Sequence, residues 1–167
     1  MPPDTPRLSF STWAAEDWPE FHSISTDPEV VRYIDKGLPY TEDRSREFAA
    51  RQARQFATFG FCNWKLIHKA DGGFAGFCGL QPIKIDGGDD IEIGWWLGRR
   101  YWGLGLATEA ARVVLEEGIS TFGMQRVIAI ANPANRASIH IMEKLGMRYE
   151  RLAAYRDMPV VLWVIEA

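Results

Sequence analysis

The stretch Arg99-Arg100-Tyr101-Trp102-Gly103-Leu104-Gly105-Leu106-Ala107-Thr108-Glu109-Ala110 places two arginines and two glycines directly before a long amphipathic run. The first N–H groups of any helix lack internal partners and point outward, and the helix dipole adds partial positive charge there. Glycine lets a ligand approach the backbone closely. These are the ingredients of a phosphate cradle at a helix start, so the segment is read as a strand-to-helix loop that holds an anion. The helix runs from Leu106 to about Phe122, with Leu106, Ala110, Val113, Val114 and Ile119 facing inward, and Gly123 as its C-cap.

Upstream of the loop lie three strand-like segments, Phe61–His68, Phe74–Ile85 and Ile91–Leu97, separated by Asp71-Gly72-Gly73 and Asp86-Gly87-Gly88-Asp89. Asp-Gly-Gly turns between apolar runs read as hairpins, so these strands are expected to be antiparallel. Before them come an alternating strand at Arg7–Trp13 and a helical pattern over Glu16–Ser25 with Trp18, Phe21, His22 and Ile24 as bulky positions. A further helical turn at Val30–Ile34 follows, and then a helix capped by Thr41 that runs to about Thr58. Downstream come a buried strand at Arg126–Ala131, a helix over Asn135–Leu145 stopped by Gly146, and strands Met147–Asp157 and Val160–Ile165 meeting at Asp157-Met158-Pro159. The order is β-α-α-β-β-β-α-β-α-β-β. The fold class is therefore α/β (α+β), a mixed and largely antiparallel sheet flanked by helices.

Composition bounds the alternatives. The 167 residues are the size of one domain, 1–167, which can bury roughly 70% of its unfolded surface without a metal or disulfide. Hydrophobic residues make up 47% and charged residues 25%, as in globular chains, and the net charge of -3 does not point to nucleic acid as a partner. Cys62 and Cys78 form no Cys-x-x-Cys pair, and His22, His68 and His140 are scattered, so two reduced core thiols and no metal are expected. No segment reads as a signal peptide or a membrane span, which makes the expected location cytoplasmic, away from membranes.

Two nucleotide-binding motifs compete for the glycine loop. A triphosphatase loop needs Gly-Lys-Ser/Thr, which does not occur. The dinucleotide fingerprint G-x-G-x-x-G/A shares two glycines with Gly103-Leu104-Gly105-Leu106-Ala107-Thr108 but ends in Thr. Antiparallel hairpins, rather than repeated parallel units, also feed this loop. A dinucleotide oxidoreductase stays as a lower-ranked alternative.

A third reading comes from resemblance. Glu92-Ile93-Gly94-Trp95-Trp96-Leu97 followed by Tyr101–Ala110 resembles motif A of the GNAT N-acyltransferase superfamily. Asn132-Pro133-Ala134-Asn135-Arg136-Ala137-Ser138 followed by Glu143-Lys144-Leu145-Gly146-Met147 resembles motif B. The wording is most like the branch of ribosomal-protein-alanine N-acetyltransferases (Rim-type). The element order is also that family's order, so the resemblance covers nearly the whole chain.

The resemblance implies a largely antiparallel GNAT sheet and acetyl-CoA as acyl donor, with no metal. It also implies transfer to a primary amine, a protein N-terminus or a small molecule, by direct attack in a ternary complex. The cofactor-binding residues it implies are Trp96, Leu97, Gly98, Arg99, Arg100, Trp102, Gly103, Leu104, Gly105, Leu106, Ala107, Thr108 and Asn135. Two registers of the family's loop fit. One sets Trp102 before Gly105 and Ala107, with the helix starting at Leu106; the other sets Arg100 before Gly103 and Gly105. Arg99 and Arg100 are available to further anionic groups.

Attack by an amine of solution pKa ~8 to ~10.4 needs a base, a donor to the carbonyl oxygen and a path for the leaving thiolate. The resemblance supplies backbone donors around Trp96 and Leu97, on a strand that splays from Arg126–Ala131. Gly94 and Gly98 either assist that distortion or simply bracket the strand. The catalytic candidates are Glu92 as base through water, Ser138 as hydrogen-bond donor to the departing sulfur, and Asn135 near the thioester. Many relatives place an acidic tyrosine where this chain has Met142; Tyr149 and Tyr155 are the substitutes. Arg136 and Lys144 are candidates for the adenosine phosphates. A GNAT-fold acyl-CoA-binding module without catalysis is the alternative from another class. The acceptor is not legible, and oligomeric state is open, a homodimer included.

Overall fold

The computed structural model describes residues 1–167. Seven strands form one open sheet in the order β1-β2-β3-β4-β5-β7-β6. They are β1 (Leu8–Ser11), β2 (Asn63–His68), β3 (Phe74–Ile85), β4 (Gly88–Leu97), β5 (Arg126–Ala131), β6 (Arg148–Tyr155) and β7 (Met158–Glu166). Every neighbouring pair is antiparallel except β4 and β5. A sheet with one parallel pair lacks the repeated parallel units of a dinucleotide fold, which removes the oxidoreductase alternative.

Five helices flank the sheet: α1 (Trp18–Ser25), α2 (Pro28–Val31), α3 (Glu42–Phe59), α4 (Leu106–Ser120) and α5 (Arg136–Lys144). The first departs from the expected Glu16 start. Pro19 has no N–H, and its ring opposes the carbonyl four residues back, so Ala15–Asp17 forms a separate 3₁₀ turn. Thr41 caps α3 as expected, its Oγ1 accepting from the Arg44 N–H at 3.2 Å. In α4 the buried face is Leu106, Ala110, Ala111, Val114, Leu115 and Gly118, and Val113 and Ile119 sit at its rim.

The last hairpin also departs from expectation. Its turn is Arg156-Asp157, both left-handed (φ 49 and 61), with Tyr155 paired to Met158. This is a two-residue turn of the primed kind, written without the usual Asn-Gly. Pro159 is tolerated because β5 pairs with β7 only from Val161 onward, so no β5 carbonyl waits for its missing N–H.

Strand alternation decides the layers. Phe77 of β3 packs on Phe21 of α1 and Phe48 of α3, whereas Leu80 reaches Gly118 of α4. Residues separated by an odd step on a regular strand face opposite ways, so α1 and α3 cover one face and α4 the other. β4 stays in continuous register with β3 from Gly88 to Leu97. Trp96, opposite Phe77, therefore faces α1, and its ring lies 5.5 Å from that of Phe21. Trp95 faces the α4 side. Gly94 lies inside β4, paired with Gly79 without a bulge, and a side chain on it would meet nothing.

Candidate functional site

β4 and β5 share a single paired register, Glu92 with Ile128, and part beyond it. Into that parting opens a cleft of about 660 Å³. One wall is the second half of β4, and the other is the end of β5 with the start of α5. Because the parting crosses the sheet, the cleft has one half on the α4/α5 face and one on the α1/α3 face.

The α4 half is built from the loop before that helix. Gly103 (φ 73) and Gly105 (φ 76) are left-handed, a conformation that L side chains adopt at a cost of roughly 1–2 kcal/mol. Gly105 is the N-cap, so the helix starts at Leu106 as the first loop register requires. The N–H groups from Gly103 to Thr108 have no acceptor in the protein; the next, Glu109 N–H, makes the first bond of the helix, to Gly105 at 3.1 Å. A run of free amides at a helix start is a preformed anion site. A Cβ on Gly103 would meet nothing, and one on Gly105 would touch only Arg7 Nη2 at 3.7 Å, so the cradle is roomy.

Neighbours fix the cradle in place. The Trp102 indole donates to the Leu97 carbonyl at 2.8 Å, and Arg7 donates to the Leu104 carbonyl at 2.8 Å. Glu109 holds Arg7 at 2.6 Å and accepts from the Thr5 hydroxyl at 2.6 Å, tying the segment just before β1 to the helix. Those hydrogen bonds keep its carboxyl below the ordinary range despite partial burial. The long sequence separation made Arg7 and Thr5 invisible as partners.

Arg99 and Arg100 differ from expectation. The 3₁₀ turn Arg99–Tyr101 directs them away from the cleft, Arg99 to Asp27 at 3.0 Å and Arg100 to Asp71 at 2.8 Å. Gly98 and Leu104 also lie outside the cleft wall, whereas Trp96, Leu97, Trp102, Gly103, Gly105, Leu106, Ala107 and Thr108 line it.

The facing wall carries Asn135 and Ser138. Asn135 caps α5, its Oδ1 accepting from the Ser138 N–H at 3.2 Å. The Trp95 indole, across the parting, donates to Ser138 Oγ at 3.1 Å. A hydroxyl has one proton, and here it accepts from Trp95, so its own O–H is left to donate elsewhere in the cleft. The sequence offered no signal for Trp95 in this role. Lys144 and Tyr155 line the cleft, Arg136 does not, Tyr149 is exposed on β6, and Met142 is buried.

Glu92 lies on the α1/α3 side and is 9% exposed. Asp89 and Asp90, its neighbours in sequence, are engaged by Lys84 and Arg126, so Glu92 is no part of a hairpin-edge cluster. The Gln81 amide donates to Glu92 Oε2 at 2.7 Å, and Asn63 Nδ2 donates to Gln81 Oε1 at 3.2 Å. Burial raises the Glu92 pKa to about 7, although the Gln81 hydrogen bond and the positive field of Arg156 oppose the shift. A carboxylate poised near neutrality in a cleft is equipped to take up and release a proton at physiological pH.

The backbone at the end of β4 completes the site. Gly98 N–H bonds to Ala75 O of β3, so alternation turns the Leu97 N–H toward the parting, where β5 no longer accepts it.

The sequence family described as Acetyltransferase (GNAT) domain matches residues 7–148. The chain belongs to the GNAT acetyltransferase family. It is 33% identical over 143 residues to the uncharacterized protein YkkB of Bacillus subtilis (strain 168), covering 86% of this chain and 82% of that one. A GNAT-family acetyltransferase from Bacillus anthracis superposes with a TM-score of 0.81 at 26% identity, covering 99% of this chain and 98% of that one. The fold extends to RimL, a ribosomal L7/L12 alpha-N-protein acetyltransferase solved in complex with coenzyme A. There the TM-score is 0.81 at 14% identity, covering 98% of this chain and 96% of RimL. This GNAT chain holds no cluster of three or more His, Cys, Asp or Glu side chains suited to a metal ion, and no helix long and apolar enough to cross a membrane.

Proposed function

We propose that this GNAT chain, with residues 1–167 acting as one domain, is an acetyl-CoA-dependent N-acetyltransferase. It moves an acetyl group to a primary amine by direct attack in a ternary complex. The observation that carries the proposal is the cleft that crosses the sheet, with the free amides of Gly103–Thr108 at one end and Glu92 at the other. The free amides suit the pyrophosphate of coenzyme A, as does RimL's coenzyme A complex on the same fold.

Acetyl-CoA supplies the activated acyl group and a thiolate leaving group. Glu92, through a water, accepts the proton the amine must lose. The Leu97 N–H donates to the carbonyl oxygen as it gains negative charge. Ser138, held by Trp95 with its own proton free, donates to the departing sulfur. Asn135 holds the start of α5 so that Ser138 faces the cleft. A protein N-terminus and a small-molecule amine both meet these requirements.

Coenzyme A at a hundred times its dissociation constant is expected to stabilise the protein by roughly 2.7 kcal/mol. For a domain of this size that raises the Tm by about 5–10 °C. NAD and ATP at the same free concentration should shift it far less. Thermal melts with the three ligands decide the matter, and equal shifts would sink the coenzyme reading.

Ser138→Ala should lower turnover about ten- to a hundredfold, the worth of one hydrogen bond to a charged group. The loss should be the same across pH, because the hydroxyl acts on sulfur and not on the amine proton. A loss that varies with pH would assign Ser138 another role.

A further inference from the structure

The amine end of the cleft carries more positive charge than its acidic neighbours balance. Arg51 of α3 and Arg156 of the β6–β7 turn both line it, with Tyr40. Arg156 reaches both Asp35 oxygens at 3.3 Å, and Arg44 holds Asp35 Oδ2 at 3.0 Å, so one carboxylate serves two guanidiniums. Arg51 has no carboxylate partner; its guanidinium rests 5.6 Å from the centre of the Phe48 ring. Arg44 lies 3.7 Å over the Tyr40 ring. The fields of Arg44, Arg51 and Arg156 all reach the Tyr40 phenol, against Asp35 alone, and that of Arg156 also reaches Glu92. Farther along the same wall, Glu29 is already matched by Arg32 at 3.8 Å. This surplus occurs in a chain whose net charge is -3.

Clustered guanidiniums beside a buried carboxyl suit a substrate bearing both signs of charge. An amine with a second positive charge would meet Arg51 and Arg156 as repulsion, whereas a carboxylate would receive the fork of donors that Arg51 leaves unused. We propose that the acceptor is a primary amine that also carries a carboxylate. Arg51 receives the carboxylate, Arg156 and the Tyr40 hydroxyl flank it, and the amine lies toward Glu92. The inference rests on the acetyltransferase reading above. It selects amino acids, or N-termini followed by an acidic residue, and rejects polyamines and aminoglycosides.

The test measures kcat/KM by thiol release from acetyl-CoA. Acceptors are the common free amino acids, each beside its α-carboxamide, with spermidine and peptides beginning Ser-Asp and Ser-Lys. Concentrations are set to equal free amine, since the amide's amine is the weaker base. Acids are expected to exceed their amides by about ten- to a hundredfold, chiefly through KM, and spermidine to be poorest. Arg51→Gln should collapse the ratio of acid to amide. Arg51 is exposed, so the variant should fold; Arg156 is a less clean probe because its field also acts on Glu92. Preference for Ser-Asp over both Ser-Lys and free amino acids supports the same carboxylate chemistry on a protein N-terminus.

Amides or spermidine used as well as acids would overturn the inference and leave the transferase reading standing. So would an Arg51→Gln loss equal for every acceptor. Binding of acetyl-CoA in a melt with no amine acetylated overturns the transferase reading itself, and this inference with it.

Discussion

Replacing Glu92 with glutamine is expected to lower turnover by about a hundred- to ten-thousandfold near pH 7 while making the protein more stable. Both effects have one cause. Burial raises the Glu92 pKa to about 7 from an ordinary 4.5, so ionising it costs the folded state free energy that the unfolded chain does not spend. The sign follows from linkage. A group whose folded pKa is raised leaves the fold at full stability below about 4.5, and that stability is lost as pH rises to about 7. The shift corresponds to about 3 kcal/mol, so Glu92→Gln should be more stable than the parent by up to that amount at pH 8 and nearly equal at pH 4. Glutamine keeps the shape, and with its Oε1 toward Gln81 it still accepts that amide's hydrogen bond.

Turnover of the parent should rise with pH through about 7 as Glu92 ionises. The variant should lack that limb, and its deficit should shrink at high pH, where free amine is abundant. Denaturant melts and rate–pH profiles on the same two proteins read both effects. A variant that gains stability but keeps its rate profile would show that Glu92 is buried for reasons other than proton transfer. A variant that gains none would show that Glu92 is not held in a desolvated site.

Gly105→Val should weaken acetyl-CoA binding by about a hundredfold or more. The residue sits at φ 76, the N-cap of α4, amid amides with no acceptor in the protein. A branched side chain there must abandon the left-handed conformation, turning the neighbouring N–H groups off the ligand, or else fill the cradle. Loss of two hydrogen bonds to a charged group, at about 1.5–3 kcal/mol each, accounts for the magnitude. Because the strain also destabilises the fold, Gly105→Asn is the companion variant, since asparagine tolerates positive φ. It should keep most of the stability and still bind more weakly, because its side chain occupies the cradle. Calorimetric titration with coenzyme A on both variants gives the answer. Normal affinity in folded Gly105→Asn would place the phosphate site elsewhere.

What the sequence revealed was local or periodic. Hydrophobic alternation and the Asp-Gly turns gave β3 as Phe74–Ile85, and β5 as Arg126–Ala131, with the bounds the structure has. The glycines before Leu106 and Asn135 before Arg136 gave the starts of α4 and α5, because caps and left-handed residues act within one turn of chain. Glu92, Ser138 and Asn135 lie on segments whose wording resembles the family's motifs, and that resemblance is what singles them out as candidates. Where local rules misled, a specific residue was responsible: Pro19 split the first helix, and Arg156-Asp157 made a hairpin turn without a glycine.

Tertiary structure alone decided how those segments become a site. That β4 pairs with β5 at Glu92 and then parts from it is a property of two strands more than 25 residues apart, and no local signal encodes it. Strand alternation sends Trp95 and Trp96 to opposite faces, but packing alone decides that one meets Ser138 and the other the aromatic core. Arg99 and Arg100 read as phosphate ligands by proximity in sequence, but Asp27 and Asp71 claim them in space. The acidity of Glu92 is likewise a product of packing, because desolvation depends on what surrounds a carboxyl and not on its neighbours in the chain. Sequence fixes which groups can donate, accept or titrate; the distance between chemical partners depends on how the strands pack, which is the long-range part of folding.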